Sequence, residues 1–442
     1  MNTPIYDFLI KYNASGAVRC HMPGHKGRGC AEELVSLYGL DITEIDGADS
    51  LFEANGIIAQ SEQNMSSLYG TAGTVYSAGG STLCIQTMLA IMKREKRRIF
   101  AVRNVHRAFL NALALLDLDA EWLLPEYSGG ILSGELDLQM VETALKNSRM
   151  PSCLYVTSPD YTGKTADIAA LAALCRKYDA RLLVDNAHGA HLAFFEDNRH
   201  PIALGADMCC DSAHKMLPAL TGAAMLHTSR PEYAGILKQT MGLFASTSPS
   251  YLIMASLDLC SRYIHESIRS DIAENLGFIK RLKDYFSSML VFADSEPFHI
   301  TIKAVESGFD GNELAQLLRE NGVECEYSDT ALVILLMSPF SRQDDYRRLS
   351  SALEKALCSA VKSPEKAQRI NMTLPQKAMS VCEAVFSESE ETDVENALGR
   401  ICAEVKVPCP PAVPIAASGE IIDESCINIF KMYGISTVNV VK

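Results

Sequence analysis

Asp211, Ser212, Ala213, His214 and Lys215 form the stretch in which an amine is best placed for covalent chemistry. A lysine amine has an ordinary pKa of about 10.4 and is mostly protonated near neutral pH. It becomes a nucleophile only in a shaped site. Upstream, RLLVDNAHGAHL (residues 181–192) reads as an apolar strand that ends in Asp185, with His188 just beyond. A carboxylate after one strand and a lysine after the next suit pyridoxal phosphate, whose ring nitrogen wants an anion and whose aldehyde wants an amine. Ser212 and His214 flank the lysine and can both donate to that cofactor's phosphate. A solvated loop lysine is the commoner fate of the residue type, and these neighbours argue against it.

The segment SAGGSTLCIQTML puts Gly79, Gly80, Ser81 and Thr82 at the start of a helix. Free backbone N–H groups, hydroxyls and a positive helix end make an anion site there, although Ser-Thr after Gly is also an ordinary helix cap. The residues before Asp185, Leu182, Leu183 and Val184, should be buried. The carboxylate would then sit at the carboxyl edge of a sheet, where open α/β sheets bind ligands. His106, in VRNVHRAF after another apolar strand, could stack on a cofactor ring or be an ordinary structural histidine. Phosphate loop, histidine, aspartate and lysine thus follow one another, each at a strand end.

Residues so spaced need a sheet to carry them. Strand-like segments at Arg98 to Val102, Ser152 to Thr157, Arg181 to Asp185, Asp207 to Cys210 and Ala223 to His227 alternate with helical periodicity at Ser81 to Lys96, Leu136 to Lys146 and Ile168 to Tyr178. That alternation predicts a mainly parallel sheet with helices on both faces. Tyr251 to Ser288 reads as one long helix leading to a second domain. That domain opens with FHITIKAV, a strand of period two, and continues with a helix at Gly311 to Glu320, a strand at Ala331 to Met337 and a helix at Gln343 to Val361. SPEKAQ (363–368) reads as a linker, and residues 373–442 as a small module with two helices and the turn-rich stretch VPCPPAVPIAASGE. The expected division is an N-terminal segment (1–70), a cofactor-binding large domain (71–290), a small α+β domain (291–365) and a C-terminal module (366–442).

Composition narrows the class. The chain has 442 residues, 48% hydrophobic and 21% charged, with no apolar run long enough to span a bilayer. Its opening residues lack a signal-peptide core, so a cytoplasmic location is expected. The net charge of −14 disfavours nucleic acid and acidic membrane surfaces as partners. The fourteen cysteines are scattered, often in apolar segments, and read as small buried residues. No CxxC pair has a partner at zinc-site spacing, so no metal site is expected.

Several separated motifs, in order, resemble the ornithine/lysine/arginine decarboxylase family of fold-type-I pyridoxal-phosphate enzymes over nearly the whole chain. HMPGHKG (21–27) and DITEIDGADSLFEANGIIAQSE, with Asp41, Thr43, Glu44, Asp49, Gly56 and Gln60, resemble its N-terminal signatures. SAGGST resembles its phosphate loop, VDNAHGAH its aspartate segment, SAHKMLPALTG its lysine segment, and ALGRICAEVKVPCPPAVPIAASGE its C-terminal module. STSPSYLIMASLD resembles the stretch whose hydroxyls, here Thr247 and Ser248, help bind phosphate from the partner subunit. The resemblance implies a fold-type-I large domain with a mainly parallel seven-stranded sheet and smaller α+β C-terminal domains. It also implies a homodimer or larger assembly with shared active sites.

By the same resemblance Lys215 is the Schiff-base lysine, Asp185 the partner of the pyridinium, and His106 the ring-stacking residue. Gly80, Ser81, Thr82, Ser212 and His214 bind the phosphate, and His188 completes the cofactor set. With HMPGHKG beginning at residue 21, the chain is similar to the short form, which lacks the wing domain that builds larger rings. Two departures stand out. Ala412 and Ser418 occupy positions where the family usually has Gly and Pro, and Asp160 in SPDYTGK stands where a Thr is usual.

The activity implied is decarboxylation of a basic amino acid: arginine to agmatine first, with lysine to cadaverine and ornithine to putrescine close behind, all feeding polyamine biosynthesis. The distal cation needs an acidic partner, for which Asp49 and Glu420 are candidates. Another pyridoxal-phosphate reaction, transamination or β-elimination, is the rival. Aminotransferases of this fold hold the substrate carboxylate with a C-terminal-domain arginine, whereas Arg342, Arg347 and Arg348 fall in a solvent-facing helical pattern. A non-catalytic relative that only binds is the third reading.

Overall fold

The computed structural model describes residues 1–127, 130–362, 370, 372–405, 407–409 and 412–442. The linker expected at 363–368, the 365/366 domain boundary and Pro410 and Pro411 of the turn-rich stretch lie outside the described residues.

Seven strands form the main sheet: β1 (Gly73–Ser77), β2 (Arg98–Val102), β3 (Ala120–Leu123), β4 (Ser152–Thr157), β5 (Arg181–Asp185), β6 (Met208–Asp211) and β7 (Ala224–Thr228), in the order β1-β7-β6-β5-β4-β2-β3. Strand β5 runs parallel to β6, and β2 runs parallel to both β3 and β4. Strand β7 is antiparallel to its neighbours β1 and β6. The sheet is therefore mainly parallel, as expected. Leu182 to Val184, Met208 to Cys210 and Ala224 to Leu226 are buried, which is why these strands read as unbroken apolar runs. Strands β1 and β3 escape a reading by pattern. The first mixes Gly, Thr and Ser with two apolar residues, and the second is an edge strand with only Leu123 buried.

The helices at Gly80–Arg94, Leu138–Asn147 and Ile168–Lys177 fall where periodicity predicts them, and a further helix runs from Arg107 to Leu116. The single helix expected from Tyr251 to Ser288 is two, Tyr251–Glu266 and Ile268–Phe286. They part at Ser267, whose backbone leaves helical geometry while its carbonyl accepts from the Asp271 N–H and the Ser270 hydroxyl. A serine at that point starts a new helix better than it continues an old one. Among the described residues no helix is long and apolar enough to cross a membrane.

The chain divides into two compact units, Met1–Ile91 with Leu183–Ile272, and Met92–Leu182 with Ala273–Lys442. In the first, the buried carboxylate of Asp258 accepts from the N–H groups of Ile5 and Tyr6 at 2.9 and 3.0 Å and from the Ser61 hydroxyl at 2.6 Å. It thereby caps the helix Pro4–Ala14 from a distant part of the sequence.

The second unit adds a three-stranded antiparallel sheet, β8 (His299–Lys303), β9 (Tyr327–Ser328) and β10 (Leu332–Leu336), with β10 in the middle. Helices Gly311–Glu320 and Gln343–Ser359 accompany it. The terminal stretch contains the two expected helices, Val381–Phe386 and Glu424–Met432, and a pair of strands, β11 (Ser389–Asp393) and β12 (Thr437–Val441). An apolar cluster including Ile131, Ile334, Cys402, Ile415 and Phe430 is shared by these segments.

One ion pair lies inside this unit. Arg103, directly after β2, is fully buried and meets Glu420 in a two-pronged contact, Nη1 to Oε1 at 2.8 Å and Nη2 to Oε2 at 2.7 Å. Its remaining N–H groups reach the carbonyls of Pro414 and Ile415, and its guanidinium lies 4.7 Å from the centre of the Trp122 ring. The fork geometry of arginine fits such a carboxylate, and each partner needs the other because neither has water. Glu420→Ala should therefore cost about 3–5 kcal/mol, since it leaves the Arg103 charge buried and unpaired, whereas the double variant Arg103→Met/Glu420→Leu should regain most of that loss. Urea unfolding midpoints at unchanged slope would measure both. Ala412 has φ +59°, the left-handed backbone that glycine adopts without penalty. Ala412→Gly should stabilise the protein by roughly 0.5–1 kcal/mol, and an unchanged or lowered midpoint would contradict that.

Candidate active site

The first unit brings together the ends of β5 and β6 and the start of the helix Gly80–Arg94. Lys215 sits on a short helix, Ala213–Met216, that Ser212 opens immediately after β6. Its Nζ lies 2.7 Å from His188 Nε2. His188 is delivered by the tight turn after Asp185, closed by the Gly189 N–H donating to the Asn186 carbonyl at 2.8 Å. A Cβ on Gly189 would stand 1.9 Å from Asn186 Oδ1, so only glycine permits this turn.

Asp185 is 2% exposed and ends β5. Its Oδ1 accepts from the Ala187 N–H at 3.2 Å and from the Cys210 thiol at 3.4 Å. The Asn186 N–H donates to the Cys210 carbonyl at 3.0 Å, which locks the end of β5 to β6. Burial beside Asp185 pushes the Cys210 thiol well above its ordinary range, so it donates a proton and does not add a charge.

The phosphate-loop candidates lie beside this edge. Gly80 takes φ +69°, and its N–H donates to the Gly222 carbonyl at 2.8 Å. The Ser212 hydroxyl donates to the Ser81 hydroxyl at 3.0 Å, joining the start of that helix to the start of the lysine helix. His214 Nδ1 donates to the Ala223 carbonyl at 2.9 Å, which leaves Nε2 to donate to an anion only when the ring is an imidazolium. Gly79, Thr82 and Ser248 border one cavity of about 260 Å³. Thr247 and Ser248 are exposed. Amine, buried carboxylate, hydroxyls and helix-start amides form a donor set whose chemistry fits an aldehyde, a cationic ring nitrogen and a phosphate, the three groups of pyridoxal phosphate.

His106 belongs to the second unit. Its ring is exposed, and its Nδ1 accepts from the Ala108 N–H at 3.2 Å, capping the helix Arg107–Leu116. Arg342, Arg347 and Arg348 are exposed, as their helical pattern predicts.

The two carboxylates named as candidates for the substrate cation both have partners within the chain. Asp49 is a loop builder and helix cap: its carboxylate accepts from the N–H groups of Ser50, Asn55, Gly56 and Ile58 at 2.8–3.0 Å. Partial burial alone would raise its pKa, but those N–H groups outweigh it and the net shift is downward. Glu420 is 3% exposed, paired with Arg103, and accepts from the Ala417 N–H at 2.7 Å. Asp160 likewise builds a turn, accepting from the Thr162 N–H and hydroxyl and from the Lys164 N–H at 2.7–3.0 Å, with burial raising its pKa despite these donors. Sequence reasoning passed over Arg103 and Asn186. An arginine directly after an apolar strand was the available signal for the first, whereas nothing local marks the second.

Comparison with known proteins bears on the chain as a whole. The profile of the Orn/Lys/Arg decarboxylase major domain matches residues 3–306, and that of the Orn/Lys/Arg decarboxylase C-terminal domain matches residues 360–436. An arginine decarboxylase of Bacillus subtilis (strain 168) is 28% identical over 460 residues, covering 97% of this chain and 93% of that protein. Lysine decarboxylase LdcA of Pseudomonas aeruginosa is 23% identical over 295 residues, covering 58% of this chain and 39% of that protein. Among solved structures, the lysine decarboxylase LdcF of Francisella novicida superposes with a TM-score of 0.84 at 16% identity, over 100% of this chain and 81% of that one, which shows the shared fold. With both profiles matched in order along its length, the chain belongs to the Orn/Lys/Arg decarboxylase family.

Proposed function

We propose that the protein is a pyridoxal-phosphate-dependent decarboxylase of basic amino acids, with arginine as its preferred substrate and agmatine as the product. Arginine rests on one observation: the Bacillus subtilis arginine decarboxylase aligns with 97% of this chain. Pyridoxal phosphate, when bound, supplies the sink for the electron pair left as the Cα–carboxylate bond breaks.

The chain's own residues do the rest. Lys215 is the residue proposed to hold the cofactor covalently. For that its amine must first lose a proton, and His188 Nε2 at 2.7 Å is positioned to take it. Asp185, kept from water and supplied with donors, is the anion proposed for the ring nitrogen. Its charge favours a protonated nitrogen and so a stronger electron sink. Gly80, Ser81, Thr82, Ser212 and His214 are proposed for the phosphate, with Thr247 and Ser248 contributing across a homodimer interface. His106 is carried as the ring-stacking residue by the resemblance of its segment alone. The proposed setting is a cytoplasmic homodimer or larger assembly serving polyamine biosynthesis.

Competition among arginine, lysine and ornithine, with the purified protein supplied with pyridoxal phosphate, is expected to yield CO₂ and agmatine first. Cadaverine or putrescine in excess would replace arginine as the substrate, and keto acid without CO₂ would sink the decarboxylase reading. Lys215→Ala is expected to lose the visible absorption of the lysine-bound cofactor and to slow turnover by roughly 10⁴-fold or more, the scale seen when a covalent catalytic residue is removed. Retention of both absorption and activity would show that another lysine carries the cofactor.

A further inference from the structure

Beneath the lysine helix, the carboxylate of Asp211 is the meeting point of three donors. Asp211 is fully buried, as are Asn186, His200 and His227. Asn186 Nδ2 donates to Asp211 Oδ1 at 2.7 Å. At the other oxygen, Oδ2, His200 Nε2 stands at 3.1 Å and His227 Nε2 at 3.4 Å. The far nitrogens of both rings are met as well, His200 Nδ1 by the Ile202 N–H at 3.4 Å and His227 Nδ1 by the Thr74 hydroxyl at 2.8 Å, so each ring turns an N–H toward the carboxylate. Burial alone would raise the Asp211 pKa, but the two histidines outweigh it and hold the group below the usual carboxylate range. Asp211 is therefore a fixed, charged acceptor.

Asn186 is held at three points. Its N–H donates to the Cys210 carbonyl at 3.0 Å, its carbonyl accepts from the Gly189 N–H at 2.8 Å, and its side chain reaches Asp211. Its remaining side-chain oxygen, Oδ1, is buried and makes no hydrogen bond among the described residues. A buried oxygen left over in this way is a cost, set against one charge-assisted bond that fixes the turn. Two residues further along that turn, His188 Nε2 stands 2.7 Å from Lys215 Nζ. Asp211 and Lys215 lie on one continuous piece, the end of β6 and the short helix Ala213–Met216, tightened by the Lys215 N–H donating to the Ser212 carbonyl at 3.1 Å. Two side-chain hydrogen bonds thus close a ring between this piece and the turn, Asn186 to Asp211 at one end and His188 to Lys215 at the other.

We infer that Asn186, anchored on Asp211, is the positioning residue that holds His188 against Lys215. The inference rests on the proposed reading of His188 as the group that takes the Lys215 proton. With the Asp211 bond gone, the turn keeps its backbone bonds, but the ring is open and the contact between His188 and Lys215 must be found by motion. A displacement of about 1 Å at such a contact costs up to about 10²-fold in rate. Asn186 acts through His188 and not on a reacting atom.

The test reads Lys215 in the folded protein without cofactor. Labelling by an amine-reactive reagent, at one pH near neutrality and located by mass spectrometry, reports how readily the Lys215 amine gives up its proton. Asn186→Leu, close to asparagine in volume, should slow labelling of Lys215 by roughly threefold or more while Lys431 keeps its wild-type rate. His188→Gln should slow it too, and the double variant should be no slower than His188→Gln alone, because Asn186 acts through that ring. With the cofactor supplied, Asn186→Leu should lower kcat by roughly 10- to 100-fold with KM little changed. Should Asn186→Leu fail to fold, Gly189→Ala takes its place with the same expectations. The φ of Gly189 lies outside the left-handed region, and a Cβ there would stand 1.9 Å from Asn186 Oδ1 and push that side chain off its anchor. Unchanged or faster labelling of Lys215 in the folded variant, or slowing that multiplies in the double variant, would overturn the inference. Cofactor absorption retained in Lys215→Ala would instead remove the proposed role of Lys215, and the labelling rates would still judge the link between Asn186 and His188.

Discussion

Two parallel strands, β5 and β6, both end in carboxylates shut away from water, and the site is largely the solution to that problem. Asp185 is supplied by the Ala187 N–H and the Cys210 thiol, and Asp211 by Asn186 and His200. A buried carboxylate without such donors would take up a proton and lose its charge. The same turn that satisfies Asp185 also delivers His188 to Lys215. Two dry carboxylates thus require a dense set of fixed donors at the ends of the strands that flank the lysine helix. The neighbouring strands that carry Asp185 and precede Lys215 run in register, Asp185 facing Cys210.

The second unit meets a similar constraint differently. Arg103 and Glu420 lie 317 residues apart in sequence, yet each supplies the other's missing solvent. A buried pair of this kind contributes little net stability compared with apolar side chains of the same size, but its loss by halves is expensive. It acts mainly as a constraint on pairing, fixing the residue after β2 against the SGE stretch of the C-terminal module. Ala412, close to that stretch, carries backbone strain that glycine would not. Departure from the family's usual glycine therefore leaves the backbone shape in place and charges it to stability.

The sequence revealed most where its signal is local. Buried strands show as unbroken apolar runs, so β2, β4, β5, β6 and β7 could be found within a residue or so of their observed ends. Edge strand β3 and the mixed β1 carry no such period and were missed. Helices with one apolar face were legible, but the break at Ser267 was not, because serine is found both inside helices and at their starts. Lys215, Asp185 and the glycine-serine loop were legible because each stands at a strand or helix end, where a polar residue beside an apolar run is informative. Acidic residues away from such strand ends offered no comparable guide. Asp49, Asp160 and Glu420 look alike as sequence, and only the fold shows that the first and third meet backbone amides and a buried arginine, and the second its own turn.

By itself, then, the sequence determined the layered α/β architecture and the family, and it singled out the amine and carboxylate proposed for a cofactor, since these follow from periodicity and from motif order along one chain. Only the tertiary structure decided which charged groups are already satisfied. It paired Glu420 with Arg103, surrounded Asp49 with backbone amides, and brought His200 and His227 to the carboxylate of Asp211. The physical reason is that burial and hydrogen bonding are properties of distance. Two residues far apart in sequence share a proton or a salt bridge only once the fold has removed the water between them.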